Sequence, residues 1–141
     1  MAEENVCRVL LVEDESTICH LVEMMLALVK LVRYEVISVK SVREARQMLQ
    51  QQKFNVTILD RKVEGLELGT VLIEEIKAMP SRPAILGYWS GSFQDTTKDQ
   101  DACDWYCEKS ELISRNQLPF AIEHAMHKRD NPNVEEGGSV E

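Results

Sequence analysis

Two stretches, Val9-Leu10-Leu11-Val12-Glu13-Asp14-Glu15 and Val56-Thr57-Ile58-Leu59-Asp60, share one design: a short branched apolar run that stops abruptly in acid. An unbroken apolar run of this length fits a strand buried on both faces, as in a parallel sheet. Working outward from the first, Ser16 is placed to cap a helix whose apolar positions Ile18, Leu21, Val22, Met25 and Val29 recur at helical spacing. A second strand follows over Tyr34 to Val39, then a helix capped by Ser41 with Val42, Ala45, Met48 and Leu49 on its apolar side. The third strand, Phe54 to Leu59, ends in Asp60. A loop with Gly65 and Gly69 leads to a third helix through Val71, Leu72, Ile73 and Ile76, which Pro80 and Pro83 terminate. Ala84 to Trp89 reads as a fourth strand, Trp105 to Cys107 as a short fifth, and about Asn116 to Lys128 as a last helix with Pro119 in its first turn.

Strands alternating with helices imply parallel strands joined by right-handed crossovers, hence an α/β fold with an open, doubly wound five-stranded parallel sheet. The common flavodoxin-like order 2-1-3-4-5 makes strands one and three neighbours, and the ligand crevice of such a sheet lies beyond the carboxyl ends of its strands. Glu13, Asp14 and Asp60 therefore converge there. Three uncompensated carboxylates repel one another, and a hard divalent cation with oxygen ligands relieves that, which describes magnesium. Lys109, just past the fifth strand, can bring an ammonium to the same crevice. A carboxylate so placed has the chemistry to act as a nucleophile toward phosphorus. The one break in the alternation is Ser90 to Asp101, where Phe93 is the only large apolar residue, so the fourth helix is expected to be degenerate.

Composition bounds the rest. The 141 residues, 44% apolar and 28% charged, suit one globular domain. No apolar run approaches the roughly 18 residues of a membrane span, and Met-Ala-Glu-Glu-Asn has acids where a secretory signal needs bases, so a cytoplasmic location without membrane contact is expected. A net charge of −8 with no basic run along the chain argues against nucleic acid as a partner. Cys7, Cys19, Cys103 and Cys107 form no C-x2-C pair and read as reduced, structural cysteines. His124 and His127, three apart on a helix with no third ligand nearby, read as a solvated pair.

Together with Gly69 to Lys77 and Asp104-Trp105-Tyr106-Cys107-Glu108-Lys109, the two opening stretches resemble the receiver domain of bacterial-type response regulators. The resemblance covers about residues 6–128 and leaves 129–141 as a disordered acidic tail. It implies a single-domain response regulator of two-component signal transduction that is not an enzyme. Asp60 would take a phosphoryl group from a histidine kinase or phosphotransfer protein in a phosphorelay, and a downstream protein would read the result. By the same resemblance Asp14 is a direct magnesium ligand, Glu13 a ligand largely through water, and Lys62 a ligand through its backbone carbonyl. Lys109 holds the phosphoryl group, and Tyr106 falls where the family often has an aromatic that changes rotamer on phosphorylation. The small hydroxyl of strand four falls on Tyr88, counted from Pro83. Ser90, two residues on and on the same face, is the alternative.

Other departures are Lys109-Ser110, where the family usually has lysine followed by a cis proline, and the missing proline in the loop after Asp60. Serine at 110 calls for a trans bond. A monomer or weak homodimer is expected. Two competing readings remain: a receiver-like interaction module that works without phosphate, and a magnesium phosphohydrolase with an aspartate nucleophile. The latter wants a second aspartate two residues after the nucleophile, where this chain has Lys62, and no general acid presents itself.

Overall fold

A computed structural model of the chain describes residues 5–60, 69–89, 102–113 and 117–132. Its elements are β1 (Val6–Val12), α1 (Ser16–Ala27), β2 (Arg33–Val39), α2 (Val42–Gln51), β3 (Val56–Asp60), α3 (Gly69–Lys77), β4 (Ala84–Trp89), β5 (Trp105–Glu108), a single turn α4 (Lys109–Leu112) and α5 (Leu118–Asp130). The five strands form one parallel sheet in the order β2-β1-β3-β4-β5, the doubly wound arrangement expected. The expected degenerate fourth helix at 90–101 lies outside the described residues, as do Lys62, Ser90 and the tail from 133.

The two faces of the sheet follow from the period of two along a strand. On β1, Val9 and Leu11 pack with Ile18, Val22 and Leu26 of α1 and with Leu118, Ile122 and Ala125 of α5. Their neighbours Leu10 and Val12 pack on the other side with Val42 and Ala45 of α2 and Leu72 and Ile76 of α3. All four β1 residues are fully buried, which is why this strand reads as a continuous apolar run rather than an alternating one.

Local chemistry sets the helix ends. The Ser41 hydroxyl accepts a hydrogen bond from the Glu44 backbone N–H at 3.1 Å, and the Glu44 carboxylate accepts from Lys40 N–H at 2.8 Å. That reciprocal arrangement is a capping box displaced by one donor. The expectation for Ser16 is corrected: Glu15 occupies the N-cap of α1 without a side-chain bond, and Ser16 is already helical. The Ser16 hydroxyl instead accepts from Lys40 Nζ at 2.9 Å. The helix also stops at Ala27, so Val29, expected on its apolar stripe, lies in the turn beyond. At the far side of the sheet, Asp104 ties β4 to the approach of β5. It accepts both ends of the Arg82 fork, at 2.8 and 2.9 Å, and the backbone N–H of Ile85 at 2.7 Å.

Gly87 in β4 serves a close approach. A Cβ there would sit 2.7 Å from Cys103 Sγ and 2.7 Å from Tyr106 Cδ1, so the tyrosine ring lies over the space that the glycine leaves. Gly87→Ala is expected to cost about 1–3 kcal/mol by overpacking, or to swing the Tyr106 ring out toward solvent. Urea unfolding of Gly87→Ala, Tyr106→Ala and the double variant checks this. The penalty of Gly87→Ala should shrink in the Tyr106→Ala background, because one of the two clashing neighbours is gone.

Candidate functional site

At the carboxyl end of the sheet, Glu13 follows β1 and Asp60 ends β3, with β1 and β3 directly paired. Glu13 is held tightly from both sides. Its backbone N–H donates to Val39 O at 3.0 Å, and its Oε2 accepts the Glu15 N–H at 2.9 Å. One carboxylate oxygen from each of Glu13, Asp14 and Asp60 lies within 4.8 Å of the others, the first and third buried and Asp14 exposed. The acids predicted from sequence to converge are therefore brought together, in a pocket closed beneath by the sheet and open at Asp14.

Electrostatics shows the strain. Burial, together with the Asp60 charge, overrides the Glu15 N–H bond and the Lys109 ammonium, pushing the Glu13 carboxyl up to about 7. Glu13 Oε1 is buried with no hydrogen-bond partner among the described residues, an uncommon state for a buried polar atom. A hard cation answers both facts: it supplies the missing partner and offsets the carboxylate charge. The donor set, all oxygen and with one side open for water, fits magnesium.

Lys109 is the first residue after β5, and its ammonium bonds Glu15 Oε1 at 2.7 Å. Burial disfavours its charge, but that bond and the charges of Glu15, Glu13 and Asp60 outweigh it and raise its pKa. Glu15 is thus a member of the site whose role sequence reasoning missed. The residue stands in the opening motif, but its partner is 94 positions away. The Lys109–Ser110 peptide is trans, and the chain passes directly into α4.

The register resolves part of the question about Tyr88. Its Cα is paired with that of Asp60, and its ring belongs to the core between the sheet and α1 and α5. The side chain is fully buried, and its hydroxyl has no hydrogen-bond partner among the described residues. Tyr88 thus lies on the Asp60 face of the sheet but fills core. Tyr106 lies on the opposite face, half-buried against the α2 and α3 side. The expected solvated histidine pair is also corrected at His124. Its ring stacks with those of Trp105, at 4.5 Å, and Phe120, at 5.4 Å.

Comparison with known proteins agrees with this architecture. The family model of the response regulator receiver domain matches residues 9–100, more than half of the chain. The chain belongs to the response regulator receiver domain family. Among solved structures it is similar to a receiver domain protein from Methanospirillum hungatei JF-1, at 20% identity and a TM-score of 0.73, covering 92% of this chain and 100% of that one. It is also similar to a receiver domain protein from Clostridium thermocellum, at 20% identity and a TM-score of 0.69, covering 89% and 98%. The Mn2+-bound form of response regulator Rcp1 matches at 21% identity and a TM-score of 0.64, covering 96% and 99%. No curated protein matches the chain. The domain is a signalling domain by family, and no helix among the described residues is long and apolar enough to cross a membrane.

Proposed function

We propose that this chain is a cytoplasmic phosphoacceptor domain, in which Asp60 takes a phosphoryl group from the phosphohistidine of a kinase or phosphotransfer protein. The observation that carries the reading is the convergence of Glu13, Asp14 and Asp60 within 4.8 Å, with an orphaned oxygen on Glu13. Glu13, Asp14 and Asp60 would hold the magnesium ion, joined by the backbone carbonyl of Lys62. The ion would supply charge neutralisation at the transferring group. The Asp60 carboxylate forms the new O–P bond as the P–N bond of the donor histidine breaks, and the imidazole leaves with the electron pair. Lys109 lets go of Glu15 and turns its ammonium to the incoming phosphoryl oxygens. Output passes to a downstream protein through the changed surface, in which Tyr106 and its seat over Gly87 take part.

A second reading, an interaction module that works without phosphate, draws on Tyr88. A fully buried tyrosine stands beside Asp60 where the family has a small hydroxyl, and its ring supports the core. Transfer from a purified phosphohistidine protein, followed by radiolabel, separates the two readings. Label should move to this chain in magnesium and should fail to move to Asp60→Asn. Lys109→Ala should slow the transfer by about 100–1,000-fold, the usual effect of losing one preorganised charge-stabilising donor. Equal labelling of wild type and Asp60→Asn would remove Asp60 from the account.

A further inference from the structure

The opposite end of the sheet carries a cavity of about 690 Å3, within the size range of small-molecule sites. Among the described residues, five of the ten that line it are cations: Arg8 of β1, Lys53 after α2, Lys77 and Arg82 around the turn after α3, and Arg129 of α5. In the whole chain only 16 of 141 residues are lysine or arginine, and the net charge is −8, so this gathering is far from the average. No basic run marks it in sequence, because the five come from separate segments that the fold joins.

The cations divide into two kinds. The arginines are fixed. Arg82 is forked onto Asp104, Arg129 bonds Asp130 at 2.9 Å and the carbonyl oxygens of Asn55 and Arg82, and Arg8 reaches Glu35 at 3.4 Å while its guanidinium lies 5.2 Å from the centre of the Phe54 ring. Each of these arginines has a carboxylate beside it, Glu35 being shared with Arg33, so the positive surplus among the described residues falls on the two lysines. Lys53 is exposed, and Lys77 spends one of its three donors on Ala102 O at 3.0 Å. A lysine ammonium is a point-charge binder of phosphate.

Two further observations point to a ligand larger than a bare ion. Phe54 and Met79 give the cavity an apolar side, and an adjoining recess of about 270 Å3 is lined by Gln50, Gln51, Gln52, Pro80 and Pro83. Gln52 Oε1 accepts from the Arg8 guanidinium, and the amides of Gln50 and Gln51 beside apolar side chains suit a ring with its own donors and acceptors. Ser81, shared by the cavity and the recess, has φ of 54°, the only positive value at a non-glycine residue among the described ones. Such backbone costs of order 1–3 kcal/mol and concentrates at ligand clamps.

We propose that this cavity binds a nucleoside diphosphate or a close chemical relative. Lys53 and Lys77 take the two phosphates inside the frame of Arg8, Arg82 and Arg129, and the ring enters the glutamine-lined recess. The site is independent of Asp60 and of its metal.

Calorimetric titration of the full chain with ADP in EDTA tests this, since the chelator silences the acidic crevice. Saturable one-to-one binding is expected, with pyrophosphate at least about tenfold weaker because the recess goes unused. The double variant Lys53→Ala/Lys77→Ala, both changes at the surface and its fold checked by circular dichroism, should weaken ADP by about tenfold or more. Asp60→Asn should bind as wild type does, which keeps this test separate from the phosphoacceptor reading. No saturable binding at millimolar ADP, or an unchanged affinity in the double variant, would overturn the proposal. Pyrophosphate binding as tightly as ADP would overturn the place given to the ring.

Discussion

Glu13→Gln is expected to make the protein more stable at pH 8, in chelator, by roughly 2–3 kcal/mol. The Glu13 carboxyl sits near pH 7 against an ordinary value of 4.5, because burial and the Asp60 charge disfavour its ionised form. The folded state therefore holds a proton that the unfolded chain has already released between those two values. The contribution is fully present below about 4.5, and it is lost as the pH rises through about 7. Glutamine keeps an oxygen to accept the Glu15 N–H and has no charge to bury, so the variant should lack this pH-dependent loss. Magnesium should reverse the effect in wild type, since a cation binds the ionised form and stabilises the state that holds it. Urea unfolding of both proteins across pH 4.5 to 8, with and without magnesium, measures all of this. Parallel pH profiles for the two proteins would mean that burial and the Asp60 charge cost the Glu13 carboxylate less than its geometry implies.

Tyr88→Ala is expected to destabilise the fold by about 3–5 kcal/mol, the range for removing a large buried aromatic. Typical domains have only about 5–15 kcal/mol in total, so the variant should be partly unfolded at moderate temperature. Tyr88→Phe makes a cleaner comparison. The hydroxyl is buried and has no partner among the described residues, so its loss removes a desolvated polar group and should be neutral or favourable by up to about 1 kcal/mol. If the hydroxyl took the part of the family's small hydroxyl, Tyr88→Phe would instead slow phosphoryl uptake while leaving stability unchanged. Melting temperature and uptake rate measured side by side on wild type and Tyr88→Phe decide between core filler and site residue.

Much of the architecture was legible because it depends on local pattern. The apolar runs at Val9 to Val12 and Val56 to Leu59 can be satisfied only by strands covered on both faces, and once the strands are parallel their acidic ends must meet. Ser41 announced its helix for a similar reason: the cap bond reaches only three residues. Several of the misses are cases of long-range geometry. Ser16 looked like a cap, but Glu15 takes that position and Ser16 bonds Lys40 across the turn from β2 instead. Glu15 gained its role from a lysine 94 residues away. His124 reads as solvated until β5 places Trp105 against it. The cationic cavity is invisible along the chain for the same reason, since no two of its arginines are near neighbours in sequence.

Intact-protein mass after incubation with magnesium and a small phosphodonor such as acetyl phosphate tests the central claim most directly. The account predicts one added phosphoryl group on wild type, and none on Asp60→Asn or on wild type with the metal chelated. A folded wild-type sample that binds magnesium and gains no phosphoryl group, or an Asp60→Asn sample that gains one equally well, would contradict it.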